Sequence, residues 1–280
     1  MNDARPEVIM KLCINGATTM PYQLQEDIVF AHKAKFTGIE IWYDKLKKFL
    51  ADGNTLVKLQ ELLWSAELEP VSLCPVPLIA FSDNEQAIQE AVKAAQIAAQ
   101  IDCSTILVYP ADAQPEGVTK EDAKKKAAAA LKAYAEAIQS CKVKIAFEPI
   151  GMHPYVPKPQ DALEIISAAG SDNLGIMLDT FHLYKSGVTL EEIKSVPVEK
   201  LLLVHVGDCE DAPREKLGAE QQVYPGLGVV PLVDIFRILR DKGYKGFLSV
   251  EIFRQDYWKE NPEKIAADAK KYLDALLAKL

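Results

Sequence analysis

Four apolar runs in this sequence each deliver a side chain able to hold a metal ion or carry a proton. Lys144–Phe147 is followed by Glu148, Leu174–Leu178 by Asp179, Leu201–Val204 by His205 and Phe247–Val250 by Glu251. In a strand, alternate side chains share a face. Ala146, Met177, Leu203 and Ser249 each stand two residues before the polar group, so all of the polar groups can point into one enclosure. Carboxylates with a single imidazole suit Mn2+, Mg2+, Co2+ or Zn2+, the hard oxygen donors leaning away from copper. Acids gathered in one buried place without a cation would be very costly. One acid or histidine at a strand end is often only a hydrogen-bonded cap; its recurrence at the ends of successive strands is what points to a metal centre.

Other polar and aromatic side chains follow these runs closely. His182 lies one helical turn beyond Asp179 and is expected to face a substrate or to support a ligand. His153 and Arg254 come just after Glu148 and Glu251, where they either bind substrate oxygens or brace their loops. Trp42 and Tyr43 end a strand-like run and, with Phe81, Phe181 and Phe253, either wall a sugar-sized pocket or plug the core. Asp208, Glu210 and Asp211 form an acidic run behind His205 that reads as a solvated loop or as support for the metal ligands. His32 reads as a packed or solvated residue of the first helix.

The elements that must position these groups alternate along the chain. Val8–Asn15, Gly38–Tyr43, Pro70–Pro77 and Ser104–Pro110 read as the first four strands, the third closed by its prolines, and the four runs above supply the fifth to the eighth. Helical spacing is expected over Pro21–Phe36, Thr55–Glu67, Asn84–Ile101, Lys120–Ser140, Asp161–Ala169, Leu190–Val196, Leu232–Lys242 and Pro262–Leu280. Thr119, with Asp122 three residues later, is a helix start signal. Repeated βα units without an internal linker predict an α/β chain folded as one (β/α)8 TIM barrel over residues 8–280, with residues 1–7 as a flexible leader. An open doubly wound sheet would normally carry a glycine-rich phosphate turn after its first strand, and Asn15–Thr19 has none.

Composition narrows the function. With 49% apolar and 26% charged residues in 280, the chain has the balance of a globular protein. A net charge of −8 disfavours nonspecific binding to nucleic acid or an anionic membrane. The five cysteines lack any Cys-x-x-Cys pair, which suggests neither a disulfide framework nor a thiolate zinc site. No targeting pattern or membrane span is read, and a cytoplasmic location is expected. The sequence leaves a homo-oligomer open.

At Lys11–Thr19, Ile39–Ile41, Leu178–His182, His205–Asp211, Pro225–Gly228 and Ser249–Tyr257 the chain resembles the xylose-isomerase-like sugar isomerase/epimerase superfamily, and within it the 2-keto-myo-inositol (inosose) isomerases. The resemblance implies metal ligation by Glu148, Asp179, His205 and Glu251, with the two glutamates also acting as catalytic proton-transfer groups. It implies a small keto-sugar or keto-polyol substrate that is isomerised or epimerised in connection with carbohydrate and inositol catabolism. In such chemistry a metal-held carbonyl and hydroxyl acidify the C–H between them, and proton transfer runs through an enediolate. Relatives commonly carry Arg where Gln222 stands, a polar residue where Leu227 stands and, among inosose isomerases, Glu where Gly16 stands; Arg214 is the candidate substitute for the missing charge. The rival readings are a lyase or dehydratase in the same scaffold, a DNA-repair endonuclease needing more histidines than the 4 present, and a non-catalytic metal- and sugar-binding barrel.

Overall fold

The computed structural model describes residues 10–280, so the leader expected at residues 1–7 lies outside the described residues. Eight parallel strands close into a barrel: β1 (Lys11–Asn15), β2 (Gly38–Trp42), β3 (Glu69–Leu78), β4 (Thr105–Pro110), β5 (Lys144–Phe147), β6 (Leu174–Asp179), β7 (Leu201–Val206) and β10 (Phe247–Val250). They pair in chain order, and β10 closes the ring against β1. Two short antiparallel strands, β8 (Asp208–Cys209) and β9 (Gln222–Val223), form a ribbon in the connection after β7. The helices are α1 (Leu24–Lys33), α2 (Tyr43–Ala51), α3 (Leu56–Ser65), α4 (Glu85–Gln100), α5 (Lys120–Ala137), α6 (Pro159–Ala169), α7 (Thr180–Lys185), α8 (Leu190–Ser195), α9 (Leu232–Asp241) and α10 (Pro262–Leu277). No described helix is long and apolar enough to cross a membrane.

Alternation along the strands builds two cores. Cys13, Val71, Cys74, Leu107, Ala146, Met177, Leu203 and Phe247 fill the barrel interior, while the other faces of the strands pack on the helices. Phe247 fills the space beside Gly38, where a Cβ would come within 2.5 Å of its ring; only glycine lets the two strands share that layer. The helices bury one stripe each, as in α9, where Leu232, Ile235, Phe236 and Leu239 are inside. Thr119 caps α5 as its spacing predicts, its hydroxyl accepting from the Asp122 amide at 3.1 Å.

Besides the β8–β9 ribbon, the structure departs from the expected element list in three places. Helix α2 follows β2 directly and buries Tyr43, Leu46 and Phe49; the lysines between them mask the stripe. Helix α7 starts at once after β6, because the Asp179 carboxylate accepts the His182 amide and caps the turn. Strand β3 is not closed by its prolines but runs on to Leu78. Its pairing with β4 shifts register between Leu73 and Val76, so Pro75 falls where the ladder is interrupted.

One buried ion pair ties the first two βα units together near the barrel mouth. Lys45 Nζ lies 2.6 Å from Asp27 Oδ2 and donates to the carbonyls of Gly16 and Thr19 at 2.8 Å each. Thr19 Oγ1 donates to Asp27 Oδ1 at 2.7 Å. Burial pushes the Asp27 carboxyl up to about 7 and the Lys45 ammonium down, yet three acceptors around one ammonium are the surroundings of a charged pair. Its role is to fix the Gly16–Thr19 turn that follows β1. Replacing Lys45 with Met leaves Asp27 buried without its partner and is expected to cost about 3–5 kcal/mol, measured by urea unfolding at neutral pH.

Candidate metal centre

The strands deliver their polar groups to one end of the barrel, where functional groups gather in this architecture. Asp179 and His205 are direct register partners on β6 and β7. Glu148 follows β5 and Glu251 follows β10, their amides continuing the ladders to Val108 O at 2.9 Å and Val206 O at 3.3 Å. Ligand atoms of Glu148, Asp179 and His205 all lie within 4.8 Å of one another. Glu251 joins this trio through the imidazole: its Oε2 is 2.9 Å from His205 Nδ1, while Asp179 Oδ2 is 3.8 Å from the same nitrogen. All four side chains are buried.

The other edge of the His205 ring meets a residue that the sequence reading passed over. Glu40, fully buried on β2, places Oε1 2.8 Å from His205 Nε2. Ser72 Oγ donates to Glu40 Oε2 at 2.5 Å, and Asn15 Nδ2 donates to Oε1 at 3.3 Å. A signal for it existed: Glu40 alternates with Ile39 and Ile41 in an apolar strand, so it had to face the barrel interior. Neither Glu40 nor Glu251 lies along an N–H direction of the ring, and both imidazole nitrogens are buried without a directed hydrogen bond.

The electrostatics are those of a site short of positive charge. Burial pushes Glu148 well above the usual carboxylate range; His205 opposes this, and the carboxylates of Glu251 and Asp179 add to it. Burial also raises Glu251, again against His205. Desolvation works to lower His205, but Glu251 and Glu40 outweigh it and hold the imidazole well above its ordinary value. Protons thus collect where a cation would sit. Three carboxylates, one imidazole and a buried Nδ1 lacking a directed partner fit a divalent ion with oxygen-rich coordination.

The remaining candidates divide. His182 is brought to the site: its Nε2 is 3.9 Å from Glu148 Oε1, its amide is held by Asp179, and its Nδ1 is buried without a hydrogen-bond partner. Burial lowers its pKa, so the ring stays neutral. His153 packs edge-on against Tyr155 with ring centroids 4.5 Å apart, and burial holds its pKa at about 4. Trp42 meets Phe253 edge-on at 5.8 Å and also lines a groove of about 290 Å3 with Tyr22, Lys48 and Phe49. Arg254 is tied down by Glu210 at 2.7 Å, and Arg214 lies over the Tyr184 ring at 5.1 Å; in this arrangement both arginines brace loops. Phe181 is a core residue, and His32 is structural, its Nδ1 2.8 Å from Ala66 O.

Asp208 is neither solvated nor turned to the metal ligands. Its buried carboxylate accepts the amides of Cys209, Gly226, Gly228 and Val230 at 2.8–3.0 Å. It thereby folds the Pro225–Gly228 turn against β8. A Cβ on Gly228 would meet Cys209 O at 2.0 Å, so the turn requires glycine there. Gln222, where relatives were expected to carry arginine, accepts the Phe253 amide at 2.6 Å through Oε1 and links the ribbon to the segment after Glu251.

Comparison with known proteins agrees with this architecture. The family model for the xylose isomerase-like TIM barrel matches residues 28–276. An inosose isomerase of Halalkalibacterium halodurans is 32% identical over 270 residues, covering 93% of this chain and 94% of the relative. One from Bacillus velezensis is 31% identical over 278 residues, covering 96% and 98%. Among solved structures, the IOLI protein with a bound zinc atom superposes with a TM-score of 0.90 at 29% identity, covering 96% of this chain and 99% of that one.

A divalent ion held by Glu148 and His205 would need the carboxylate ionised and the ligating nitrogen free of its proton. Burial raises Glu148, and neighbouring carboxylates raise His205, so binding such an ion would release protons. Chelator-stripped protein is therefore expected to take up about one divalent ion per chain. Its affinity should strengthen with rising pH across neutrality, by about tenfold per pH unit for each proton displaced, and weaken as the pH falls. Calorimetric titration in buffers of different ionisation enthalpy measures the proton count.

Proposed function

The chain belongs to the xylose isomerase-like TIM barrel family, and from that premise we propose that it is a divalent-metal-dependent isomerase or epimerase of a small keto-polyol or keto-sugar, with an inosose as the first substrate to test. The observation that carries this reading is the convergence of Glu148, Asp179 and His205 within 4.8 Å, with Glu251 against the same imidazole. The relatives that span the chain are inosose isomerases, and a related structure holds zinc. Zn2+, Mn2+, Co2+ and Mg2+ all match the donor set.

When bound, the ion would polarise a substrate carbonyl and make the neighbouring C–H more acidic. Glu148, Asp179, His205 and Glu251 would hold it. The chain's own task is proton transfer. Glu148 and Glu251 are buried carboxyl groups beside the same imidazole, and an ionised one can serve as the general base. One would take a proton from the carbon beside the carbonyl. The same or the facing glutamate would return it either to the opposite face of that carbon or to the former carbonyl carbon, in the latter case with the hydroxyl proton passing from one oxygen to the other. His182, neutral and beside Glu148, offers its ring to a substrate oxygen without adding charge. Trp42 and Phe253 supply an apolar wall, and His153 is placed in the loop after Glu148 for the outer hydroxyls. Arg214 and Arg254 would have to leave Tyr184 and Glu210 to reach a substrate.

Proton NMR in D2O tests the reading with metal restored and a panel of inososes and ketohexoses. Metal-dependent deuterium incorporation beside the carbonyl, with an isomeric product, is expected. Loss of water would move the chain to the dehydratases, and saturable binding without exchange would make it a binding barrel. Glu148→Gln and Glu251→Gln are each expected to lower kcat by about 10²–10⁴, with metal content measured alongside; full turnover in both metal-loaded variants would overturn the proton-transfer assignment.

A further inference from the structure

Glu40 has no place in the proton transfer, yet it is a carboxylate of zero exposure inside the barrel. It comes from β2, and in the ring of strands β1 and β10 stand between β2 and β7, which carries His205. The side chain therefore reaches across the interior to the far edge of the imidazole, with Oε1 2.8 Å from Nε2. It does not wander: Ser72 Oγ donates to one oxygen and Asn15 Nδ2 to the other, and the Asn15 side chain also accepts the Ala17 amide at 2.8 Å. Burying such a group costs much unless it acts on a positive partner. The partner here is the ring edge opposite the metal ligands.

Resting on the metal reading above, we propose that Glu40 is a positioning residue of the centre: it keeps the His205 proton on Nε2 and so presents the Nδ1 lone pair to the cation. The geometry leaves a clear division of the ring. Nδ1 faces Asp179 at 3.8 Å and Glu251 at 2.9 Å, while Nε2 faces Glu40. A cation held by Glu148, Asp179 and Glu251 would take the place of the proton at Nδ1 and leave the other on Nε2, where Glu40 acts by its charge at 2.8 Å and not through a directed hydrogen bond. Carboxylates behind metal-bound histidines fix the tautomer and raise the basicity of the ligating nitrogen. The negative charge of Glu40 acts on the ion through the ring, and Ser72 and Asn15 set where that charge sits.

The test titrates metal-stripped wild type, Glu40→Gln and Ser72→Ala with Zn2+ and Co2+ against a competing chelator, with circular dichroism and thermal unfolding as fold controls. Glu40→Gln is expected to bind either ion about 10–100-fold more weakly and to shift the visible bands of the Co2+ form. Ser72→Ala, which keeps the charge but frees one oxygen, should weaken binding less. Nitrogen-15 NMR of the zinc-loaded wild type should find His205 protonated at Nε2 and metallated at Nδ1. Unchanged affinity and Co2+ bands in a folded Glu40→Gln, or wild-type ligation through Nε2, would overturn the proposal. If Glu40→Gln does not fold, the wild-type tautomer and Ser72→Ala decide it. Wild type that binds no divalent ion would sink the metal reading itself, a separate outcome from equal binding by wild type and variant.

Discussion

The structure is organised around an excess of negative charge in a dry place. Glu40, Glu148, Asp179 and Glu251 are all buried, and the one basic side chain among them is the imidazole of His205. Carboxylates at such distances repel strongly when water is excluded; with burial this raises Glu148 well above the usual carboxylate range, and the same carboxylates raise His205. In the proposed metal centre a divalent cation would relieve the repulsion, because it would neutralise two charges where Nδ1 is buried without a directed hydrogen bond. In the proposed reaction the buried glutamates that would hold the cation would also carry the proton.

The rest of the barrel makes that concentration of charge tolerable and fixed. Closure of eight parallel strands aims the chain directions of β5, β6, β7 and β10 at one rim, so ligands far apart in sequence meet without any long loop to hold them. Beneath them Ala146, Met177 and Leu203 keep the interior apolar, and Phe247 fills the layer beside Gly38. Around the rim, buried carboxylates serve structure instead of chemistry. Asp27 with Lys45 anchors the turn after β1, and Asp208 gathers four amides to shape the loop after β7. The distinction lies in their partners: Asp27 and Asp208 have all of theirs supplied by the chain, whereas Glu148, Asp179 and Glu251 gather around the single imidazole of His205.

The barrel class was legible in the sequence by itself, and so was the set of strand-end side chains that the structure brings together around His205, because both are written in short-range pattern. Alternating apolar runs with an acid or histidine at the end of each state which face is inside and where the strand stops, and the βα repeat leaves few ways to arrange the strands. Other features were decided only by tertiary structure. Helix α2 was hidden because its buried stripe is interleaved with lysines, of which Lys45 turns inward to Asp27 only in the folded barrel. Arg254 and Arg214 stand near functional strands in sequence, but Glu210 and Tyr184 engage them through contacts that no spacing predicts. Glu40 is the plainest case. Its alternation with Ile39 and Ile41 assigns it to the interior, but its meeting with His205 exists only because closure of the ring lets a side chain from β2 reach across to β7. Local periodicity determines which way a side chain points; the partner it finds depends on the curvature of the whole sheet.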